Sequence, residues 1–257
     1  MNQRRIVLML LGGILTVVGI LFAVLTRAVA LGENAGAAQT VPFAVSLIFA
    51  VVGLMLFLLG VLPEQKKVSI RTLSMAALFA ALCYVGFTYC KIDIPVGMEK
   101  TAFHLGNVFC VLAALFLGGF WGGMAGAVGM TIADLTTAYV TSAPKTFLLK
   151  LCIGLITGFV AHKIFHLSQD KERKLPLPAA TAISCSAGML FNIVADPLVG
   201  YFYKLYVLGV PQEAANIWAK MGAVTTFVNA IIAVAAATVL YTALRGAMRK
   251  TNLLPKL

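Results

Sequence analysis

The sequence predicts an all-α, polytopic helical membrane protein, and three observations carry that prediction. Of 257 residues, 61% are apolar and 11% charged, with a mean hydropathy of +0.96, more apolar surface than a soluble domain can bury. Apolar runs of roughly 20 residues, the length of a membrane-crossing helix, recur from end to end. They are continuous rather than alternating, which argues against a transmembrane barrel. The third observation is charge placement: the net charge of +11 comes largely from Lys and Arg clustered between alternate runs. That pattern belongs to membrane topology and gives no reason to expect nucleic acid as a partner.

Eight runs are expected. The first, 6–25, follows Arg4 and Arg5; it is longer than the core of a secretory signal and is expected to be a retained helix despite the small residues Ala28-Val29-Ala30. The second, 42–62, ends at Pro63-Glu64-Gln65-Lys66-Lys67. Six more follow at 70–90, 103–117, 122–138, 144–162, 178–203 and 221–244, so the chain divides into an amino-terminal helix pair, 1–66, and a six-helix domain, 67–257. An even number of crossings puts both termini on one side. That side collects Arg4, Arg5, Lys66, Lys67, Arg71, Lys163, Lys171, Arg173, Lys174, Arg245, Arg249, Lys250 and Lys256. The other holds Arg27, Lys91, Lys100, Lys145, Lys204 and Lys220. The bias of positive charge toward the cytoplasm places both termini there, in a prokaryotic plasma membrane.

Six polar residues interrupt the apolar runs: Asn107, Asp134, Lys150, Asn192, Asp196 and Asn229. A charge at a helix centre costs about 2.5–3.5 kcal/mol on insertion scales, so such residues face a protein interior or a wet cavity. At about 1.5 Å of rise per residue, Asn192 and Asp196 stand about 21 and 27 Å up from Pro178, and Asp134 about 18 Å up from Gly122. By the same rise Lys150 lies about 9 Å below Pro144 and Asn229 about 13 Å below Lys220. All fall in the half of the bilayer away from the cytoplasm, where they predict a polar pocket for a small solute. For Lys150 three readings stand open: a side chain reaching the outer interface, an ion pair with Asp134 or Asp196, and direct contact with a polar or anionic solute. His104 and Tyr203 join the candidate lining, His104 beside the polar loop 91–100, which is either a lid over the solute or an exposed connector, and Tyr203 in an aromatic outer segment that runs to Trp218. Tyr and Trp also gather at membrane interfaces without any ligand, and that is the expectation for Trp218.

Other features have ordinary explanations. Gly118-Gly119-Phe120-Trp121-Gly122-Gly123 is expected to make a tight cytoplasmic turn with close helix packing. The five cysteines fall singly in apolar runs as small hydrophobes. His162 and His166 lack an acidic or thiol neighbour for a metal. There is no GxSxG, HExxH or Walker motif; neither catalysis nor a cofactor is expected.

Three segments carry a family resemblance: the stripe Ala76, Ala77, Ala80 and Ala81; FHLGNVFCVLAALFLGGFWGGMAGAVGMTIADL at 103–135; and APKTFLLKLCIGLITGFVAHKI at 143–164, with its P-x-x-F-x-x-K pattern. In their order the chain resembles a substrate-binding S component of an energy-coupling factor (ECF) transporter. The resemblance implies a six-helix S-component core, here preceded by two extra transmembrane helices, and an outward-facing site for a water-soluble vitamin or related micronutrient. It also implies partnership with a membrane coupling subunit and two cytoplasmic ATP-binding subunits, the alanine stripe docking the coupling subunit. A stand-alone proton- or sodium-coupled secondary transporter using Asp134 or Asp196 is the alternative; it would show inverted repeats, and none is convincing.

Overall fold

The computed structural model describes residues 69–251 except 98 and 170–174, together with residues 7, 11–15, 18 and 19. The chain divides into two compact units, Met1–Lys67 and Val68–Leu257. In the first, the described residues are helical; the expected helix at 42–62 lies outside the described residues.

The second unit is built from apolar helices. α1, Ile70–Thr88, begins at Ser69, whose hydroxyl accepts the Thr72 N–H and caps the helix. α2, Gly106–Leu135, is two helices joined at Gly118, whose φ of 81° and ψ of 172° lie in a region open essentially to glycine. A side chain placed on Gly106 would strike Met130, one on Gly126 would strike Cys110, and one on Gly122 would enter the Ala114 backbone. These pairs are symmetric about residue 118, so the arms 106–117 and 119–135 fold back on each other. The two runs expected at 103–117 and 122–138 are these arms, and the expected tight turn is Gly118. α3, Ala143–Phe159, continues as a wider π turn through Ile164; its Gly154 and Gly158 meet Gly123 and Gly119 backbone to backbone, the close approach that small residues permit in lipid.

α4, Leu177–Phe202, likewise widens into a π turn at Tyr203–Val207. α5, Gln212–Lys250, starts nine residues before the expected 221. After Pro211 the segment Gln212–Lys220 is rich in helix formers, which an apolarity criterion overlooks. At about 1.5 Å per residue its 39 residues reach about 58 Å, well beyond the hydrocarbon layer. Among the described residues five helices are long and apolar enough to cross a membrane, α2 counted as one.

The outer loop expected at 91–100, a lid or an exposed connector, and the helix start expected at 103 take the form of a β-hairpin. β1, Lys91–Val96, pairs antiparallel with β2, Glu99–His104, in register from Lys91↔His104 to Val96↔Glu99. Gly97, at φ 61°, supplies the left-handed conformation of a tight connection. Phe103 is thus a strand residue and α2 begins at Gly106. The core beneath is aromatic and apolar: Phe116 stacks on Phe79 at 5.9 Å and meets Tyr241 at 4.7 Å between ring centroids.

Candidate functional site

One cleft opens where the hairpin, the ends of α2 and α3, and the facing ends of α4 and α5 converge. It is bordered by the hairpin residues Thr101, Ala102 and His104 and by side chains of all four of those helices, with about 1000 Å³ of atom-free space when the open solvent at its mouth is included. The opposite end of the unit carries the Gly118 turn, Lys163, Arg249 and Lys250. The cleft itself is lined by Lys100, Lys145, Lys150 and Lys204, with Asp134 and Asp196 among them.

Its floor is built from buried polar side chains on separate helices. Lys150 of α3, 6% exposed, donates through Nζ to Asn107 Oδ1 of α2 at 2.9 Å. Lys145, one turn earlier, pairs with Asp196 of α4 at 2.8 Å, and the Thr226 hydroxyl of α5 donates to the second oxygen of Asp196 at 3.0 Å. An ion pair carrying an additional hydrogen bond is what lets two charges leave water at tolerable cost. Of the readings open for Lys150, the ion pair with either aspartate is not formed; Asp196 takes Lys145 instead. Nor does Lys150 reach the interface, because it is buried beneath the cleft.

Asn229 of α5 ties the roof to the bundle. Its Oδ1 accepts the His104 N–H at 2.9 Å and its Nδ2 donates to the Ala102 carbonyl at 3.0 Å. Thr101 and Thr225 add a hydroxyl bond at 2.9 Å. These contacts satisfy strand backbone groups that an isolated hairpin would leave to solvent. His104 lies edge-on to Phe87 at 4.7 Å, and Phe87 edge-on to Tyr139 at 5.4 Å, making an aromatic wall. Burial, then the charge of Lys150, holds the His104 imidazole at about 3, well below its ordinary value. On the outer face of the hairpin, Lys91 lies 3.1 Å from Asp93 and 4.9 Å from the Tyr139 ring centroid, and the Tyr139 hydroxyl donates to Asp93 at 2.9 Å. Partial burial pushes the Asp93 carboxyl up, but the bonds from Lys91 and Tyr139 and the Lys91 charge outweigh it and hold it below the usual range. Burial and Asp93 raise the Tyr139 phenol.

Three buried atoms of the lining have no hydrogen-bond partner: His104 Nδ1, Asp134 Oδ2 and Asn192 Oδ1. Natural interiors rarely leave such atoms unmet. Of the residues singled out in the sequence, His104, Asn107, Asp134, Lys150, Asn192, Asp196 and Asn229 line this cleft, and Tyr203 does not. Tyr203 opens the π turn of α4, and the neighbouring Lys204 faces the cleft instead, its Nζ 3.8 Å from the centroid of the Trp218 ring. Trp218 therefore lines the cleft, a departure from the interfacial position expected of it. Lys145, Thr146, Thr226 and Lys204 were not singled out, because lysines and threonines near span ends are unremarkable in a sequence.

The alanine stripe divides. Ala76 is 7% exposed and belongs to the core, and Ala80 abuts Gly129 of α2. Only Ala77 and Ala81 are exposed, four residues apart on the outer face of α1. His162 is engaged at the opposite end, Nε2 donating to the Ala114 carbonyl at 3.3 Å and Nδ1 sharing a bond with Ser168 at 2.9 Å.

A family model described as "ECF-type riboflavin transporter, S component" matches residues 67–246. No curated protein and no solved structure matches the chain.

Proposed function

Because the chain belongs to the ECF-type riboflavin transporter S component family, we propose that it captures a water-soluble vitamin or related micronutrient in this cleft and delivers it inward. The family's printed substrate, riboflavin, is the first ligand to try. The family is one of transport subunits rather than enzymes, and in this reading the chain performs no chemistry of its own. The observation that carries the reading is the cleft floor. Buried charged and amide groups from α2, α3, α4 and α5 meet there, with three polar atoms left unmet. A fold under no demand to bind a solute would be more stable with apolar residues at those positions.

His104, Asn107, Asp134, Lys150, Asn192, Asp196 and Asn229 bind the solute in this proposal; Tyr203 has no part in it. In this proposal both termini are cytoplasmic, which the distribution of Lys and Arg along the sequence supports, and the solute enters from outside. Energy comes from a membrane coupling subunit and two cytoplasmic ATP-binding subunits. Ala77 and Ala81, the exposed pair, form the docking face on this chain, with Ala76 and Ala80 supporting it from within.

Mass spectrometry of small molecules that co-purify with the chain, with titration of riboflavin into ligand-free protein, tests the reading. A stoichiometric vitamin-like ligand, lost on Lys150→Ala, is the expected result; folded protein with neither a co-purified ligand nor riboflavin binding would overturn it. Ala81→Trp separates binding from delivery. Uptake in cells should fall to background while the isolated subunit binds normally, because only the exposed face of α1 changes.

A further inference from the structure

The helical glycines of this unit share one explanation, and two glycines of the cleft lack it. At every helical glycine from Gly86 to Gly188, an added side-chain carbon would lie 3.1 Å or less from an atom of a neighbour. Gly118 stands apart, because its φ itself calls for glycine. Close packing therefore accounts for those positions. At Gly200 the same carbon would meet only the end of Lys145, 3.8 Å away, and at Gly222 it would meet nothing within 4 Å. Neither has a left-handed backbone, and both line the cleft. A glycine inside a helix is destabilising relative to alanine. Neither packing nor backbone geometry explains why these two are kept.

The helical repeat orders what surrounds them. Asn192, Asp196, Gly200 and Lys204 follow at four-residue steps along α4 and its π turn, and all four line the cleft. On α5, Trp218, Gly222 and Thr226 line it at the same step, running the opposite way. Two rungs join these faces. The Thr226 hydroxyl donates to Asp196 at 3.0 Å, and Lys204 Nζ lies 3.8 Å from the centroid of the Trp218 ring. Gly200 and Gly222 take the turn between the rungs, where ordinary side chains would make a third. The result is a slot in the wall, about 6 Å outward from Asp196. Two turns below Gly200, about 12 Å along the helix, Asn192 is 1% exposed and its Oδ1 has no partner. A buried atom of that kind is one that a bound molecule would satisfy.

We propose, resting on the binding reading above, that Gly200 and Gly222 are specificity-determining residues. They hold open a slot between α4 and α5, which the outer portion of the ligand enters while its inner end is held at the level of Asn192. The ligand is therefore extended, spanning about 12 Å between the two levels. The glycines act by shape, presenting helix backbone where a larger residue would present an obstructing side chain. Stability given up at positions facing a site is the usual mark of a functional demand on them.

Equilibrium binding of riboflavin to the purified full chain, with melting temperature in the same detergent, separates this role from a structural one. Gly222→Leu should weaken riboflavin by about tenfold or more, the scale of an overpacked contact, while the melting temperature holds or rises. Gly246→Leu is the control. Gly246 also has nothing within 4 Å, but it sits near the far end of α5 and does not line the cleft, so its variant should bind as the unaltered chain does. Gly200→Ala provides a second route should Gly222→Leu misfold, and should weaken riboflavin at undiminished melting temperature. Unchanged affinity in the folded variant, a loss matched by Gly246→Leu, or a loss that only follows the loss of folded protein would overturn the slot assignment and leave vitamin capture intact. If the unaltered chain binds no riboflavin, retention of a co-purified vitamin-like ligand is read in the same variants with the same expectations. Nothing bound in either measurement would remove both the slot and the capture reading.

Discussion

The two ends of the helical unit handle polar groups in opposite ways. At the turn end, most polar side chains are short-range or backbone-directed: His162 bonds Ala114 and Ser168, Arg245 donates to the Leu167 carbonyl at 2.7 Å, and Thr181 and Ser184 bond carbonyls one turn back, while the buried Thr157 hydroxyl is an exception without a partner. Glycines at 119, 123, 154 and 158 let α2 and α3 approach to backbone contact there. At the cleft end the bonds run between side chains far apart in sequence, Lys150 to Asn107, Lys145 to Asp196 and Thr101 to Thr225, and some atoms are left unmet. Dense packing with internally satisfied backbone marks the end that holds the fold. Incompletely satisfied polar groups around a void mark the end that does its work.

Substitutions should fall into two classes accordingly. The largest effect is expected from Gly158→Ala, whose added carbon would enter the Gly119 backbone where no flexible side chain can yield. Overpacking of this kind costs about 1–3 kcal/mol or more, and the melting temperature in detergent should fall sharply, with ligand binding declining only as far as folded protein does. Next come Lys150→Ala and Asp196→Ala, which should weaken binding about 10- to 100-fold, the scale of a lost charge-assisted bond. Their folding should survive, and a loss of folded protein that paralleled the loss of binding would erase the distinction between the two ends. Asn229→Ala removes both ties to the hairpin, worth about 1–3 kcal/mol together. Stopped-flow release of bound ligand should accelerate by about tenfold, alongside a moderate fall in melting temperature.

The smallest effect concerns pH. His104 titrates at about 3 in the folded chain against an ordinary value near 6.5, so the unfolded chain takes up a proton first as pH falls. This contribution is fully present above about pH 6.5 and is lost progressively toward pH 3. His104→Gln should flatten that part of the stability profile.

Much of this could be read in the sequence because an amide or charge inside an apolar run is conspicuous: Asn107, Asp134, Lys150, Asn192, Asp196 and Asn229 announce themselves by their cost in lipid. The resemblance to S components likewise rested on whole segments and is matched by the family assignment. The hairpin is not legible in the sequence, since 91–104 mixes charges with short apolar stretches and has neither helical length nor strict alternation. Tyr203 was chosen for its aromaticity and its place on the helix after Asp196. The π turn at that point changes the residues per turn, and Lys204 takes the inward position. The alanine stripe was read as one face, whereas residues at adjacent positions lie about 100° apart on a helix, so 76 and 80 point in while 77 and 81 point out.

The brevity of the first arm of α2 has a consequence for the journey of a solute. Residues 106–117 amount to about 18 Å of helix, against roughly 30 Å of hydrocarbon. Asn107, at the top of that arm, stands on the cleft floor, so the remaining thickness is occupied by hairpin and void rather than by helix. Non-helical backbone is tolerated at such depth only when wrapped in protein, as the strand is by Asn229 and Thr225. In the proposed transport cycle a molecule resting on Asn107 and Lys150 would thus lie about 12 Å into the layer, with about 18 Å still to cross.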